Sequence, residues 1–211
     1  MGVHERRERE RIETREKILD AARELFIAEG YDGVSMRQVA EKIEYTPTTI
    51  YGYFRDKEEL FLELCHSDLR DLAESFVKLA QIPDLAQRLR RIGHAYIDFG
   101  LKNPNHYRMM FMTAHPEITE EVERRMGKGN PEKDAYAFLR HTVVEALAAG
   151  LFRNDLNDPE LIAQTLWAGA HGMVSLQIAK GDDKWVPWRS LKRRADLMLD
   201  GLLKGLLQEG K

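Results

Sequence analysis

The 211-residue sequence is most informative at first through what it lacks. It has one cysteine, Cys65. No disulfide can form within the chain, a cysteine-based metal knuckle has no support, and a reducing cytoplasm is the expected setting. No uncharged apolar run approaches the roughly 20 residues needed to cross a bilayer. The segment Met1–Arg7 lacks the apolar core of a signal peptide, and Arg6 stands where a myristoylation site needs Ser or Thr. Neither charge sign dominates: 32 Lys and Arg face 35 Asp and Glu, a net charge of -3. Any contact with nucleic acid must therefore come from a local basic face.

Catalytic and cofactor signatures are missing too. There is no phosphate-cradling G-x-x-x-x-G-K-[ST] loop and no G-x-S-x-G elbow. The seven histidines are scattered, and none makes a short spaced pair with a carboxylate on one helix face. The sequence gives no catalytic site, metal or cofactor to name. A meeting of His141 and His171 in a metal-sensing protein stays open.

Strand alternation and internal repeats are also absent. The seven prolines sit where elements would begin or break. What remains is helix, in an all-α protein of about ten helices. Ile18, Ala22, Leu25 and Phe26 share one face of a first helix over about Ile12–Glu29, ended by Gly30 and Gly33. Residues 5–17 carry mixed charge and read either as a solvated helix extension or as an arm touching DNA. Ser35 with Gln38 is a capping-box pattern that opens a second helix, lasting to about Ile43. Glu44 and Tyr45 form a turn. Thr46-Pro47 then gives a cap followed by proline at the first helical position of a third helix, ending near Phe54. Asp56 with Glu59 opens a fourth, reaching about Ala80. Leu85, Leu89, Ile92, Tyr96 and Phe99 make the stripe of a longer helix. A Met-rich segment follows from Tyr107 to Met112, then a short charged helix from Pro116 to about Met126. Helices over about 131–149, 158–180 and 188–208 complete the chain.

Two short helices joined by a tight turn and braced by a longer one form a helix-turn-helix. The second short helix must enter a major groove that admits little more than one helix, so its leading residues should be small, polar and exposed. Thr46, Pro47, Thr48 and Thr49 fit, with Ile50 and Phe54 on the side that anchors it. Ser35, Thr46, Tyr51, Tyr53 and Lys57 are placed to reach phosphate oxygens. The bland alternative is a helical bundle whose charges only solvate it.

The runs Ile18–Phe26, Gly30–Ser35, Val39–Glu41, Thr46–Phe54 and Lys57–Leu60 together resemble the N-terminal domain of the TetR family of transcriptional regulators. The resemblance implies that Thr46–Tyr53 is the recognition helix, that Tyr51, Tyr53 and Lys57 anchor phosphates, and that Arg37, Pro47, Thr48 and Thr49 read base edges. It also implies a DNA-binding domain over 1–57 and a larger helical domain over 58–211. One position departs: the family commonly has Gly where this chain has Glu44, which suggests a different turn and places negative charge near the DNA face.

In the larger domain, Tyr96, Phe99, Met109, Met110, Phe111, Phe138, His141, Trp167 and His171 are candidates to line an effector pocket, since such pockets are mostly apolar with a few orienting polar groups. Equally, they are ordinary core. Trp167-Ala168-Gly169-Ala170-His171-Gly172 and Pro104–Phe111 resemble a Trp/His-Gly subgroup of TetR C-terminal domains. The small residues of the first stretch serve either an intrachain contact or a subunit interface. Leu191, Ala195, Met198, Leu202 and Leu206 make a wide apolar stripe on the last helix, with Leu199 and Leu203 beside it. The resemblance implies homodimerisation through helices 158–180 and 188–208, operator DNA and a small apolar or amphipathic effector as partners, and no membrane. A DNA-binding regulator without an effector, and an enzyme on a helical scaffold, are the rival readings.

Overall fold

In a computed structural model that describes residues 3–114 and 118–208, short polar side chains cap most helices. The Ser35 hydroxyl accepts from the Gln38 amide and the Gln38 side chain accepts from the Ser35 N–H, closing the capping box that opens α2, Met36–Lys42. Thr46 caps α3, Pro47–Tyr51, with Pro47 at its first position. Asp84 caps α5 (Leu85–Lys102), Asp134 caps α8 (Ala135–Ala148), and Asp158 with Pro159 starts α9 (Pro159–Lys180). Each side chain satisfies amide donors that a helix leaves without partners.

The remaining helices are α1 (Val3–Gly33), α4 (Lys57–Val77), α6 (Pro104–Met112), α7 (Glu120–Met126) and α10 (Leu191–Leu206), giving ten α-helices and no strand among the described residues. The expected helix start at Pro116 lies outside the described residues. α1 begins well before Ile12. Its charged arm is held as exposed helix by Arg6–Glu10 and Arg9–Glu13 pairs four residues apart. Its regular geometry breaks at Gly30, whose φ of 73° lies in the left-handed region. α4 stops at Val77 and continues as a 3-10 turn, Lys78–Gln81. Its N-terminus departs from the expected box: Asp56 accepts from the Glu59 amide, but Glu59 accepts from Arg55 N.

The chain divides into two units, Met1–Asp68 with Asn105–Ile118 and Leu69–Pro104 with Thr119–Lys211. The first contains α1, α2, α3, the start of α4, and α6. Phe26, Tyr31 and Phe61 form an aromatic cluster with centroids 5.1–5.8 Å apart, and Ile18, Val39, Ile50 and Leu60 are fully buried. An ionic group lies inside. Arg23 Nη2 donates to Asp68 Oδ1 at 2.9 Å, and His106 Nδ1 lies 2.7 Å from the same oxygen. Cys65 is buried nearby. Its thiol is pushed up to about 12, first by desolvation and then by Asp68.

In the second unit α5 and α9 pack on each other and on α8 and α10. α10 comes close through two glycines: a Cβ at Gly93 would collide with Leu199, and one at Gly169 with Leu202 and Met198. Gly172 faces open space. The small residues of α9 are thus divided, with Gly169 serving the intrachain packing and Gly172 lying outside it. The inner edge of α10 is Ala195, Leu199 and Leu203, while Met198 and Leu202 are half-buried.

Candidate nucleic-acid interface

The geometry of α3 follows from its two ends and its two sides. Its first turn is fixed by Thr46, whose hydroxyl accepts from the Thr49 amide at 3.3 Å and lies 2.9 Å from the Thr49 hydroxyl. Inward, Ile50 and Phe54 are buried and clamp it to the first unit. Outward, Thr46, Pro47 and Thr48 are exposed, Thr49 is half-buried, and Tyr51 is 55% exposed. A short rigid helix with small polar residues leading and one large aromatic free is the shape a major groove accepts.

The turn before it takes an unexpected route. Glu44 sits at φ 60°, the only described non-glycine residue with positive φ. Glutamate adopts there the left-handed geometry that glycine takes easily. The Tyr45 N–H donating to Ala40 O at 3.0 Å, together with Ile43 N–H to Ala40 O at 3.3 Å, holds the chain there. That conformation costs an L-residue about 1–2 kcal/mol.

The flanking residues differ in readiness. Arg37 is exposed, and its Nε donates to Glu41 at 2.7 Å, a bond that raises its pKa further. Ser35 spends its hydroxyl on the cap of α2. Tyr53 is half-buried. Lys57 Nζ donates to Tyr31 O at 2.8 Å and lies 4.3 Å from the Tyr31 ring centre, so one of its three donors is occupied within the protein. Two residues on this side were missed by the sequence reading. Tyr45, 39% exposed, directly precedes the Thr46 cap, and its position was the signal. Arg15 lies 5.2 Å from the Phe54 ring centre and pairs with Glu63 at 2.6 Å, bracing the buried end of this segment; nothing local in the sequence marks it.

The nine candidate effector residues fall into two groups. Met109, Met110 and Phe111 lie on α6 in the first unit. Met109 is fully buried, and the Phe111 ring lies tilted against Tyr107 with centres 5.0 Å apart. In the second unit Tyr96, Trp167 and His171 come together. Trp167 Nε1 donates to Tyr96 Oη at 3.0 Å, and Tyr96 Oη lies 3.2 Å from His171 Nδ1. An indole N–H can only donate, so the tyrosine oxygen accepts it, and the direction of the Tyr96–His171 bond follows the histidine tautomer. Desolvation lowers the His171 pKa, which favours the neutral ring. Tyr136 lies tilted against Trp167, ring centres 5.7 Å apart, and donates to Glu160 at 2.5 Å. Burial first, then this bond, raises the Tyr136 pKa, and the same bond heads the causes lowering that of Glu160. Phe138 is buried 6.2 Å from Phe76, Phe99 is half-buried, and His141 is exposed on α8. Among the described residues no group of three or more His, Cys, Asp or Glu side chains could hold a metal, and no helix is long and apolar enough to cross a membrane.

Comparison with known proteins agrees with this geometry. Residues 18–64 match the model for bacterial regulatory proteins of the tetR family, and residues 89–202 match the tetracyclin repressor-like C-terminal domain. The uncharacterized HTH-type transcriptional regulator YobS of Bacillus subtilis is 28% identical over 52% of this chain and 57% of its own. The HTH-type transcriptional repressor NicS of Pseudomonas putida is 26% identical over 68% of each chain. The chain spans about half the length of the first two curated relatives. A TetR family transcription regulator from Marinobacter aquaeolei superposes with a TM-score of 0.74 over 95% of this chain and 100% of that one, at 20% identity, which shows a shared fold. With a helix-turn-helix in place, a matching N-terminal domain and a C-terminal match over more than half its length, this chain belongs to the TetR family of transcriptional regulators.

Proposed function

We propose that this protein is a ligand-responsive repressor that acts as a homodimer on operator DNA. The carrying observation is α3 itself: Thr46, Pro47, Thr48 and Tyr51 lie exposed on a helix whose other side, Ile50 and Phe54, is locked into the core. Thr48, Thr49, Pro47 and Arg37 read base edges. Ser35, Thr46, Tyr51, Tyr53 and Lys57 hold phosphates and set register. Residues 1–57 act as the DNA-binding domain, and 58–211 as the effector-binding and dimerisation domain. The family resemblance supports this division, and the Trp/His-Gly subgroup remains part of the proposal. The protein works in the cytoplasm and is not an enzyme, as fits a family of DNA-binding regulators.

Dimerisation uses α9 and α10. Leu161, Ala168, Gly172 and Leu176 make an exposed stripe along α9, and Leu197 is 76% exposed on α10. Two-fold pairing of these helices sets two recognition helices one DNA turn apart, about 34–36 Å. A small apolar or amphipathic effector binds in the second unit beside Tyr96, Trp167 and His171. It acts by preferring one of two arrangements of α4, and so changes the separation of the recognition helices.

A gel-shift titration on DNA flanking the gene tests the reading. A discrete band at nanomolar protein that weakens steeply with salt is expected. Binding that is equal on unrelated DNA, or insensitive to salt, overturns it.

A further inference from the structure

The loop between α9 and α10 displays a tryptophan in the open. Trp185 is 92% exposed, and Val186 beside it is 38% exposed. Leaving an indole in water forgoes one of the largest burial gains any side chain can make. The loop that carries it is nevertheless built. Asp183 accepts from the Trp185 amide at 2.9 Å, and the Asp183 amide donates to Lys180 O at 3.0 Å. Arg194, on the first turn of α10, ties the rest together. It donates to Gln177 at 2.5 Å and to Arg189 O at 3.1 Å, and its guanidinium lies 4.7 Å from the Trp188 ring centre. Trp188 Nε1 is buried without a hydrogen-bond acceptor among the described residues, so the loop is left polar-unsatisfied in the single chain.

A large aromatic held out by an ordered loop is the form of an interface anchor, because little conformational freedom is lost when it docks. Its surroundings select the partner. The other exposed large apolar residues of the second unit are Val144, Leu161, Leu176 and Leu197, and three of these lie on the two helices the loop joins. Exposed apolar side chains thus occur on α9, on α10 and on the loop that joins them.

We infer that Trp185 is a dimer anchor, seated on the α9–α10 surface of a second copy of this chain. The inference rests on the proposed α9–α10 interface and adds the loop to it. Two-fold symmetry makes the contact reciprocal, so each dimer holds two anchors.

Sedimentation over a concentration series, combined with acrylamide quenching, tests it. The quenching of Trp185 is read as the difference between wild-type protein and Trp185→Phe. The expected result is a wild-type dimer in which Trp185 is shielded and becomes quenchable on dilution to monomer. Trp185→Ala should raise the dimer dissociation constant at least about tenfold, and Trp185→Phe less. Unchanged circular dichroism and melting of the Ala variant show that it remains folded. A wild-type dimer in which Trp185 is quenched like a free indole overturns the anchor while leaving the dimer standing. So does a Trp185→Ala dimer of unchanged affinity. A wild-type monomer at every concentration removes both.

Discussion

Arg23 and Asp68 form an ion pair inside the first unit, at 2.9 Å, with side chains 9% and 1% exposed. It joins α1 to α4, and His106 on α6 shares the same carboxylate oxygen. Removing Asp68 leaves the buried Arg23 only the exposed Asp20, 3.1 Å away, at a cost of up to about 3–5 kcal/mol. Asp68→Ala should lose about that much in urea unfolding. Joint replacement of Arg23 and Asp68 by Met and Leu should lose much less. Equal losses in the single and double variants would show that packing, and not charge pairing, is what matters there.

Glu44 holds a conformation suited to glycine. Glu44→Gly removes a left-handed penalty of about 1–2 kcal/mol and adds the unfolded-state entropy of glycine, about 0.5–1 kcal/mol. A net gain of roughly 0.5 kcal/mol is expected in chemical denaturation. Operator affinity should rise in parallel, since a negative charge leaves the DNA side. A loss of stability would mean the Glu44 side chain is itself favourable there.

Arg37 is held by Glu41 in the free protein. Glu41→Gln releases the guanidinium and removes a charge that opposes phosphate. Gel shifts at fixed salt should show operator binding a few fold tighter, in keeping with the small worth of an exposed pair. Arg37→Ala should weaken binding and relax base preference, whereas Tyr51→Phe should weaken it on all sequences alike.

His171 has a lowered pKa because it is desolvated. The unfolded chain therefore binds more protons than the folded one in the window just below the ordinary imidazole value, about 6.5. The contribution of this group to stability is complete above that pH and is lost as pH falls towards the folded value. The melting temperature of wild type should drop more steeply between about pH 7.5 and 5.5 than that of His171→Asn, in matched buffers. Parallel curves would place the effect on another group.

What the sequence shows well is what is decided locally. Ser35 with Gln38, Thr46 with Pro47, and Asp158 with Pro159 carry their capping partners within three residues, so α2, α3 and α9 start where pattern alone puts them. The extension of α1 over residues 5–17 was one of two open readings, because it rests on exposed charge pairs with no apolar stripe. Contacts between distant segments could not be read. Lys57 is drawn to Tyr31 across 26 positions, and Asp68 to Arg23 across 45. Gly169 and Gly172 look alike in sequence, and only the arrival of Leu202 and Met198 separates them. Of the effector candidates, Tyr96 was recognisable on the apolar stripe of α5, while its meeting with Trp167 and His171 depends on how α5 and α9 pack. The outward placement of His141 depends on how α8 is rotated.

The burial of Cys65 has a practical side. With its thiol pushed up to about 12 and shut away from solvent, the native protein offers almost no thiolate to alkylating reagents at neutral pH. A cysteine placed on the outer face of α3 would then be the sole reactive handle per subunit. A pair of spin labels or dyes attached there would report the span between the two halves of a dimer directly, with and without DNA, and with no background to remove first.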